Sequence, residues 1–306
     1  MIKKLVKIIV LSICCNQVSA ATCSCAGVPL LSSMEASSAD SGKWYLSVTY
    51  EEHNINDLVS GSDDINDETE RARESRSLLL QADYGVNESW SITGMLTYID
   101  HRRQIGISQG SFAEAKGLGD GLILVKYTPQ RINLFSSWEY SFGFGSKIPL
   151  GDDDYKINSV SVSEDLQPSS GSYSWLAWGY VTYAFDQAAR SQIFLSANTS
   201  INNENGRNYQ FGNEYNFSVG TSYHLQNDWA ISAQVRYRES LPDERADVTI
   251  PNTGGEWVDF MPAIQYQLNQ SSGIKLAARI PLYRNLEGAI QFTTSDSISL
   301  TYSYAL

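Results

Sequence analysis

The chain has 306 residues and a formal net charge of −12, which argues against a nucleic-acid partner. Its 18 Tyr, 7 Trp and 22 Gly, at a mean hydropathy of −0.27, make it rich in strand-forming aromatic residues yet polar overall. A soluble α/β enzyme is usually more aliphatic, so the composition disfavours that class.

The first twenty residues predict a cleavable export signal. They contain three early lysines, an apolar run over residues 8–15 and a small-residue cleavage site that ends at Ala20. We expect the mature chain to start near Ala21. Loss of the three lysines would lower the net charge from −12 to −15.

The segment between the signal and the first strand, residues 21–42, contains Cys23 and Cys25. In an oxidising compartment these two thiols form a candidate redox pair or capture a soft metal ion, whereas the plainer interpretation is two unremarkable thiols in an extended segment. The segment is expected either to tuck into the protein as a plug or to trail in the periplasm.

From residue 43 onward, apolar and polar residues alternate with period two, which predicts β-strands. After the signal there is no run of about 18 apolar residues, so no transmembrane helix is expected. The alternation predicts twelve strands, over residues 44–51, 77–86, 90–98, 121–127, 134–146, 173–185, 192–202, 215–225, 229–238, 257–268, 274–283 and 297–306.

The connections between these strands alternate between short and long. The short ones are residues 87–88, 128–133, 186–191, 226–228 and 269–273. The long, polar ones are residues 53–74, 104–116, 149–171, 203–210, 241–255 and 284–294. Five short and six long connections predict an all-β, antiparallel up-and-down transmembrane barrel over residues 43–306, with both ends on the short-turn side.

The aromatic residues distinguish this barrel from a soluble sandwich. Tyr84 and Trp90 flank one short turn, and Tyr223 and Trp229 flank another, which predicts rings at one level. From Trp90 to Tyr98 the apolar face extends about 26 Å along the strand, or roughly 20 Å along the axis of a tilted barrel. Outer-membrane barrels carry an apolar band about 25 Å tall between two aromatic girdles, so the apolar face is expected to look outward into lipid.

The opposite face of the strands is too polar for a soluble core. Its members with ionisable side chains are Asp83, Lys126, Glu139, Glu214, His224, Arg236, Arg238, Asp259, Lys275 and Arg279. Since a buried charge without a partner or water is costly, the interior is expected to be a wet lumen or a ladder of ion pairs.

Several of these charges are candidates for the selectivity of a lumen. Arg236 and Arg238 are expected to oppose Glu214 and Asp259 on the flanking strands. Lys126 is expected to face Glu139. Together with Lys275 and Arg279, they either brace the barrel or form a charged constriction that screens solutes by size and sign, and one ladder can do both.

Five segments together resemble the phenol-degradation meta-pathway family of outer-membrane barrels. They are residues 117–127 (GLGDGLILVKY), 164–175 (EDLQPSSGSYSW), 211–220 (FGNEYNFSVG), 250–268 (IPNTGGEWVDFMPAIQYQL) and 280–288 (IPLYRNLEG). The resemblance implies a channel or uptake role for small compounds, aromatic ones included, and supplies no catalytic residues. The chain ends in Leu306 where such barrels usually end in Phe, which weakens the expected signal for the barrel-assembly machinery.

Catalytic and metal-binding interpretations are weaker. Asp100 and His101 are adjacent and so point to opposite faces of a strand, and no serine stands in a nucleophile elbow, so we expect no enzyme and no cofactor. Residues 117–119 lack the strand-to-helix context of a dinucleotide site and are expected to relieve crowding where a loop enters the wall. The acidic stretches 63–70 and 151–154 lack the spacing of a calcium loop. As acidic surface loops, they would favour neutral or cationic solutes at the mouth.

The sequence thus predicts a barrel in a Gram-negative-type outer membrane, with passive passage of small, hydrophobic or aromatic solutes as its function. The alternative is a structural or surface-binding barrel whose acidic loops bind ions or partners. The expected partners are outer-membrane lipid and lipopolysaccharide, the assembly machinery and a small solute. The last strand, residues 297–306, is expected to close the barrel against the strand that begins near residue 43.

Overall fold

The computed structural model describes residues 40–68, 71–104, 112–129, 137–186, 188–225 and 228–306. Twelve long antiparallel strands in this part of the chain form a closed barrel, as predicted. They are β1 (Trp44–Asn54), β2 (Ala72–Gly85), β3 (Trp90–Gln104), β4 (Phe112–Tyr127), β5 (Trp138–Pro149), β6 (Ser174–Ala184), β7 (Ser191–Asn202), β8 (Glu214–His224), β9 (Trp229–Ser240), β10 (Gly255–Asn269), β11 (Ser272–Thr293) and β12 (Asp296–Ala305). The predicted signal, Cys23 and Cys25 lie outside the described residues.

The barrel closes where the sequence predicts, through β1 and β12. Tyr45 pairs with Ala305 at one end of this seam and Asn54 pairs with Asp296 at the other. Ile298, Leu300 and Tyr302 are exposed on the outer surface. Each of the other strands pairs with its two neighbours in the chain, which is the up-and-down topology.

Several strands are longer than the sequence predicts. Residues 284–293 were expected to form a long connection, but β11 continues through them to Thr293. Likewise β3 continues to Gln104 and β4 begins at Phe112, although residues 104–116 were expected to be a loop. Strands pair through their backbone N–H and C=O groups, so a strand can continue with polar side chains beyond the membrane. The switch to polar residues in the sequence therefore marked the edge of the lipid-facing band and not the end of the strand.

The extension of β11 is paired and packed on the long-loop side. It pairs with Asp57–Gly61, which in turn pairs with Asp63–Ile65. Two apolar clusters join it to its neighbours, one of Val59, Trp257 and Leu286 and the other of Ile55, Leu58 and Phe292. Residues 57–65 of the connection predicted for residues 53–74 therefore form an ordered hairpin.

The remaining elements of the described chain are short and lie in the long connections. They are the strands Lys156–Ile157, Val160–Ser161, Tyr209–Gln210, Glu244–Arg245 and Val248–Thr249 and the 3₁₀ turn Glu164–Leu166. Among the described residues, no helix is long or apolar enough to span a membrane.

Four ring pairs at the short-turn end form the predicted aromatic girdle. Each joins a Trp at the start of one strand to a Tyr near the end of the next, with centroids 4.7–4.8 Å apart: Trp44–Tyr84, Trp90–Tyr127, Trp138–Tyr183 and Trp229–Tyr266. The partners are joined through the long connections and not across the short turns that Tyr84 and Trp90 flank. This end is the periplasmic one by the usual orientation of such barrels, in which the long loops face outward from the cell.

Candidate functional site

The inner face of the wall holds the charges that the alternation predicts. Arg236 Nη2 lies 2.5 Å from Asp259 Oδ2, and Arg238 Nη2 lies 3.0 Å from Glu214 Oε1. These four side chains are 6–7% exposed, and the register places them side by side on β8, β9 and β10. Arg238 also lies over the ring of Trp257, with its Cζ 4.4 Å from the ring centroid.

Lys126 has a partner that the sequence analysis missed. Its Nζ lies 2.7 Å from Asp83 Oδ1, and Asp83 is fully buried. Asp83 also accepts hydrogen bonds from Gln81 Nε2, at 2.6 Å, and from the Thr93 hydroxyl. The contact between Lys126 and Glu139 predicted from the sequence stays a prediction.

A glycine allows Lys126 to approach an aromatic ring. Gly143 on β5 pairs with Lys126 on one side and with Trp178 on the other. Because Gly143 has no side chain, Lys126 Nζ and the Trp178 ring approach to 5.9 Å across it. A Cβ at Gly143 would lie 3.0 Å from Leu124 Cδ2, so the side chains of this wall are closely fitted.

The other inward candidates occupy different levels of the wall. Arg279 is buried on β11, whereas Glu139 and Lys275 are partly buried nearer the periplasmic ends of β5 and β11. His224 is exposed at the periplasmic end of β8, so it does not line the buried wall as its alternation suggested.

Inward-facing apolar side chains form a second feature that sequence reasoning missed. Leu79, Met95, Leu122, Leu124, Leu176 and Trp178 are 0–5% exposed and pack into one cluster. We call this cluster the apolar sector. It was hidden because most of these residues lie in continuous apolar runs such as residues 122–125, where both faces of the strand carry large side chains. Met95 and Trp178 stand at inward-facing positions of the alternation, and these positions were the feature of the sequence that could have revealed the cluster.

The long connection between β5 and β6, residues 150–173, folds onto the inner wall. Ser169 Oγ and the Ser170 N–H donate to Asp120 Oδ1 at 2.6 and 3.1 Å, while Lys147 Nζ lies 3.2 Å from Asp120 Oδ2. Arg73, buried on β2, binds Asp165 Oδ2 at 2.7 Å. We call this connection the inward loop.

Gly119 makes room for the inward loop. A Cβ at this position would lie 2.3 Å from Thr97 Oγ1 and 3.1 Å from the Pro168 carbonyl oxygen. Residues 117–119 lie within β4, so they relieve crowding in mid-strand and not, as predicted, where a loop enters the wall.

Two more connections lock against the inward loop. Asn205 Nδ2 donates to the Ser170 carbonyl at 3.1 Å, and both Arg207 and Arg245 pair with Glu164, the latter at 2.7 Å. We call these three connections, residues 150–173, 203–213 and 241–254, the extracellular cap. Several carboxylates of the cap are thus neutralised by arginine, and the mouth carries less free negative charge than the composition suggests.

The histidines of the wall are buried but do not form an acid–base site with Asp100. His101 faces inward and is 1% exposed, whereas Asp100 pairs with Arg102, 3.0 Å away on the other face. His53 lies 3.3 Å from Glu51. The separation of Asp100 from His101 was predicted from their adjacent positions on one strand.

The cap contains a carboxyl group with a pKa well above its usual range. Asp243 accepts hydrogen bonds from Tyr209 Oη at 2.5 Å and from the Gly212 N–H at 2.8 Å. Burial raises the pKa of Asp243 to about 6 despite these bonds. Burial raises the pKa of Glu164 as well, against the opposing effect of its two arginines.

Lowering the pH from 7 to 5 should therefore tighten the cap. Because the folded-state pKa of Asp243 exceeds its unfolded value, protonation relieves the cost of a buried charge, and stability rises as pH falls through about 6. Between pH 7 and pH 5 the gain from Asp243 is about 1 kcal/mol, since the carboxyl is then protonated in the folded state and still ionised in the unfolded state. Limited proteolysis of residues 241–254 should slow at pH 5, and in Asp243→Asn this pH dependence should shrink to the smaller part due to Glu164. An unchanged pH dependence in that variant would contradict the assignment to Asp243.

Comparison with known proteins supports the fold and its setting. Residues 168–278 match the family model described as outer membrane protein transport protein (OMPP1/FadL/TodX). No curated protein matches the chain.

Among solved structures, an outer membrane channel from Pseudomonas putida F1 is similar at 10% identity and a TM-score of 0.68, covering 89% of this chain and 99% of that one. The β domain of the Bordetella autotransporter BrkA is similar at 10% identity and a TM-score of 0.50, covering 87% of this chain and 100% of that one. At these identities the likeness concerns the fold. The chain therefore has the fold of an outer-membrane β-barrel, and a third of its length matches a family of outer-membrane transport proteins.

Proposed function

We propose that the protein is a passive outer-membrane channel for small solutes, hydrophobic and aromatic ones included, and that it belongs with the phenol-degradation meta-pathway barrels it resembles. The observation that carries the proposal is the reversed polarity of the barrel. Its outer surface is apolar and carries aromatic pairs at the periplasmic end, while its inner face carries charged and hydroxyl side chains. A closed wall with a polar interior is the arrangement that keeps water and solutes inside and lipid outside.

Conductance in planar lipid bilayers tests this proposal. The folded protein should give discrete, ohmic pore events in KCl. A variant that lacks residues 21–42 should conduct at least as well, and a marked increase would identify that segment as a plug. If heat-modifiable, correctly folded protein gives no pore events in either form, the channel proposal is wrong.

The interlocked cap favours a second candidate, a barrel whose ordered extracellular surface binds partners and which does not conduct. Asp120 is the junction of the inward loop, because it holds Ser169, Ser170 and Lys147 at once. Asp120→Ala should release this loop. A conductance that rises severalfold in the variant would identify the loop as a constriction in a transport path, whereas two equally silent proteins would favour the surface-binding role.

A further inference from the structure

The extracellular cap contains an open pocket beside Glu164. Its volume is about 380 Å³, which is within the range of pockets that hold small ligands. The lining residues are Ser161, Val162, Ser163, Glu164, Arg207 and Arg245. The inward loop thus forms one side, and each of the other two connections of the cap contributes one arginine. The Arg245 side chain is 53% exposed, so a solute in the extracellular medium can reach it.

The ion pairs around this pocket contain more cations than carboxylates. Arg207 and Arg245 share the single carboxylate of Glu164. Asp154 lies 3.8 Å from Arg207 Nη1 and binds Lys156 Nζ at 2.6 Å. These pairs join three cations to two carboxylates, so one positive charge is left without a counterpart.

The charges that surround these pairs leave the imbalance in place. Arg103 hydrogen-bonds a serine of the pocket, and among the described residues no carboxylate lies within ion-pair distance of its guanidinium. The charge of Asp153 acts on Glu164. This further cation and this further carboxylate cancel. Asp165 does not change the balance, because Arg73 already binds it.

Both arginines of the pocket keep N–H groups for a ligand. Arg245 donates to Glu164 from Nη2, and within the described chain its other N–H groups have no acceptor. Arg207 Nε is buried and donates to no described residue. The Ser163 hydroxyl accepts from Arg103 Nη1 at 3.2 Å and can itself donate. A buried donor without an acceptor costs free energy, and a ligand with acceptor oxygens would relieve that cost.

We propose that this pocket binds a small carboxylate from the extracellular medium. Arg207 and Arg245 are already arranged around the carboxylate of Glu164, so the site has the donors and the charge that this group requires. A second carboxylate, bound beside Glu164, neutralises the remaining positive charge and joins residues 203–213 to residues 241–254. The ligand therefore stabilises the interlocked cap, and it binds whether or not the barrel conducts.

Fluorine NMR measures this binding directly. Trifluoroacetate and trifluoroacetamide are similar in shape and differ in charge. With the folded protein in nonionic micelles, the trifluoroacetate signal should broaden, the trifluoroacetamide signal should stay sharp, and added acetate should reverse the broadening. Arg245→Gln should weaken binding about tenfold or more, because it removes a charge-assisted hydrogen bond. Glu164→Gln should strengthen binding severalfold, because the nearest carboxylate no longer repels the ligand.

Arg190→Gln is the matched control. Arg190 is an exposed arginine at a periplasmic turn, 4.0 Å from Asp186, and its replacement changes the net charge by the same amount. This variant should bind trifluoroacetate as tightly as the wild-type protein. Acetate should also slow the cleavage of residues 241–254 by proteinase K in the wild-type protein and in Arg190→Gln, but not in Arg245→Gln. Heat-modifiable migration on gels verifies that each barrel is closed.

Several results would overturn the proposal. One is an absence of broadening with the folded wild-type protein, and another is equal broadening with the wild-type protein, Arg245→Gln and Arg190→Gln. Phosphate that displaces trifluoroacetate at a concentration tenfold below that of acetate would replace the carboxylate by a phosphate group. Glu164→Gln tests the site even where the loss of Arg245 loosens the cap, and weaker binding in that variant would contradict the position beside Glu164. None of these measurements involves conductance, so their failure leaves the channel proposal standing.

Discussion

Replacing Lys126 by methionine should lower the free energy of unfolding of the barrel by about 3–5 kcal/mol, because it leaves a buried carboxylate without its cation. Asp83 is 0% exposed and would keep only the hydrogen bonds from Gln81 and Thr93. The loss also removes the contact between the ammonium group and the Trp178 ring. Urea unfolding of the protein in detergent micelles, followed by tryptophan fluorescence, measures the change.

Two further variants show whether the buried charge is the cause. Lys126→Met combined with Asp83→Asn should recover more than half of the lost stability, since the neutral amide can accept from Gln81 Nε2 and donate to the Thr93 hydroxyl without the charge. Lys116→Met makes the same substitution on the same strand at an exposed ion pair, and it should change stability by no more than about 0.5 kcal/mol. A Lys126→Met variant as stable as Lys116→Met would contradict the prediction.

The partner expected for Lys126 was Glu139, and the structure adds Asp83. This difference shows what the sequence could and could not provide. Alternation assigned Lys126, Glu139 and Asp83 to the inner face, and this assignment needs only the period of a strand. The partner of Lys126 depends on strand register, which varies with turn length and with bulges such as the shift between Leu96 and Tyr98 against β4. The sequence therefore predicted which residues look inward and left open which of them meet.

The partners of Arg236 and Arg238 were easier to predict. Both predicted ion pairs are present. The turn between β8 and β9 is short, so the register behind the pair of Arg238 with Glu214 is closely limited. Arg236 and Asp259 lie across the long connection between β9 and β10, where direct cross-strand pairing brings them together.

The contacts of the inward loop could not be predicted, because they join residues that are far apart in the sequence. Its contacts join Asp120 to Ser169 and Arg73 to Asp165, 49 and 92 residues apart, and no local period marks such contacts. The serines of this loop are buried in the structure, but nothing in the local sequence distinguishes them from exposed serines.

The paired arginines make a prediction for transport that is separate from stability. Arg236→Gln combined with Arg238→Gln leaves Asp259 and Glu214 as uncompensated anions in the lumen wall. Two unit charges about 4 Å apart interact by about 1 kcal/mol even at the dielectric constant of water, which corresponds to roughly a fivefold change in an equilibrium. The ratio of potassium to chloride permeability should therefore rise about fivefold or more, as measured from the reversal potential in a KCl gradient.

The reciprocal variant supplies the control. Glu214→Gln combined with Asp259→Asn removes the carboxylates and leaves the arginines, so selectivity should move toward anions by a similar factor. Heat-modifiable migration on gels verifies that each variant closes its barrel. Unchanged selectivity in both folded variants would mean that these pairs only brace the wall. Opposite shifts in the two variants would place the pairs on the path of the permeating ion, because only charges that an ion passes closely change its permeability with this symmetry.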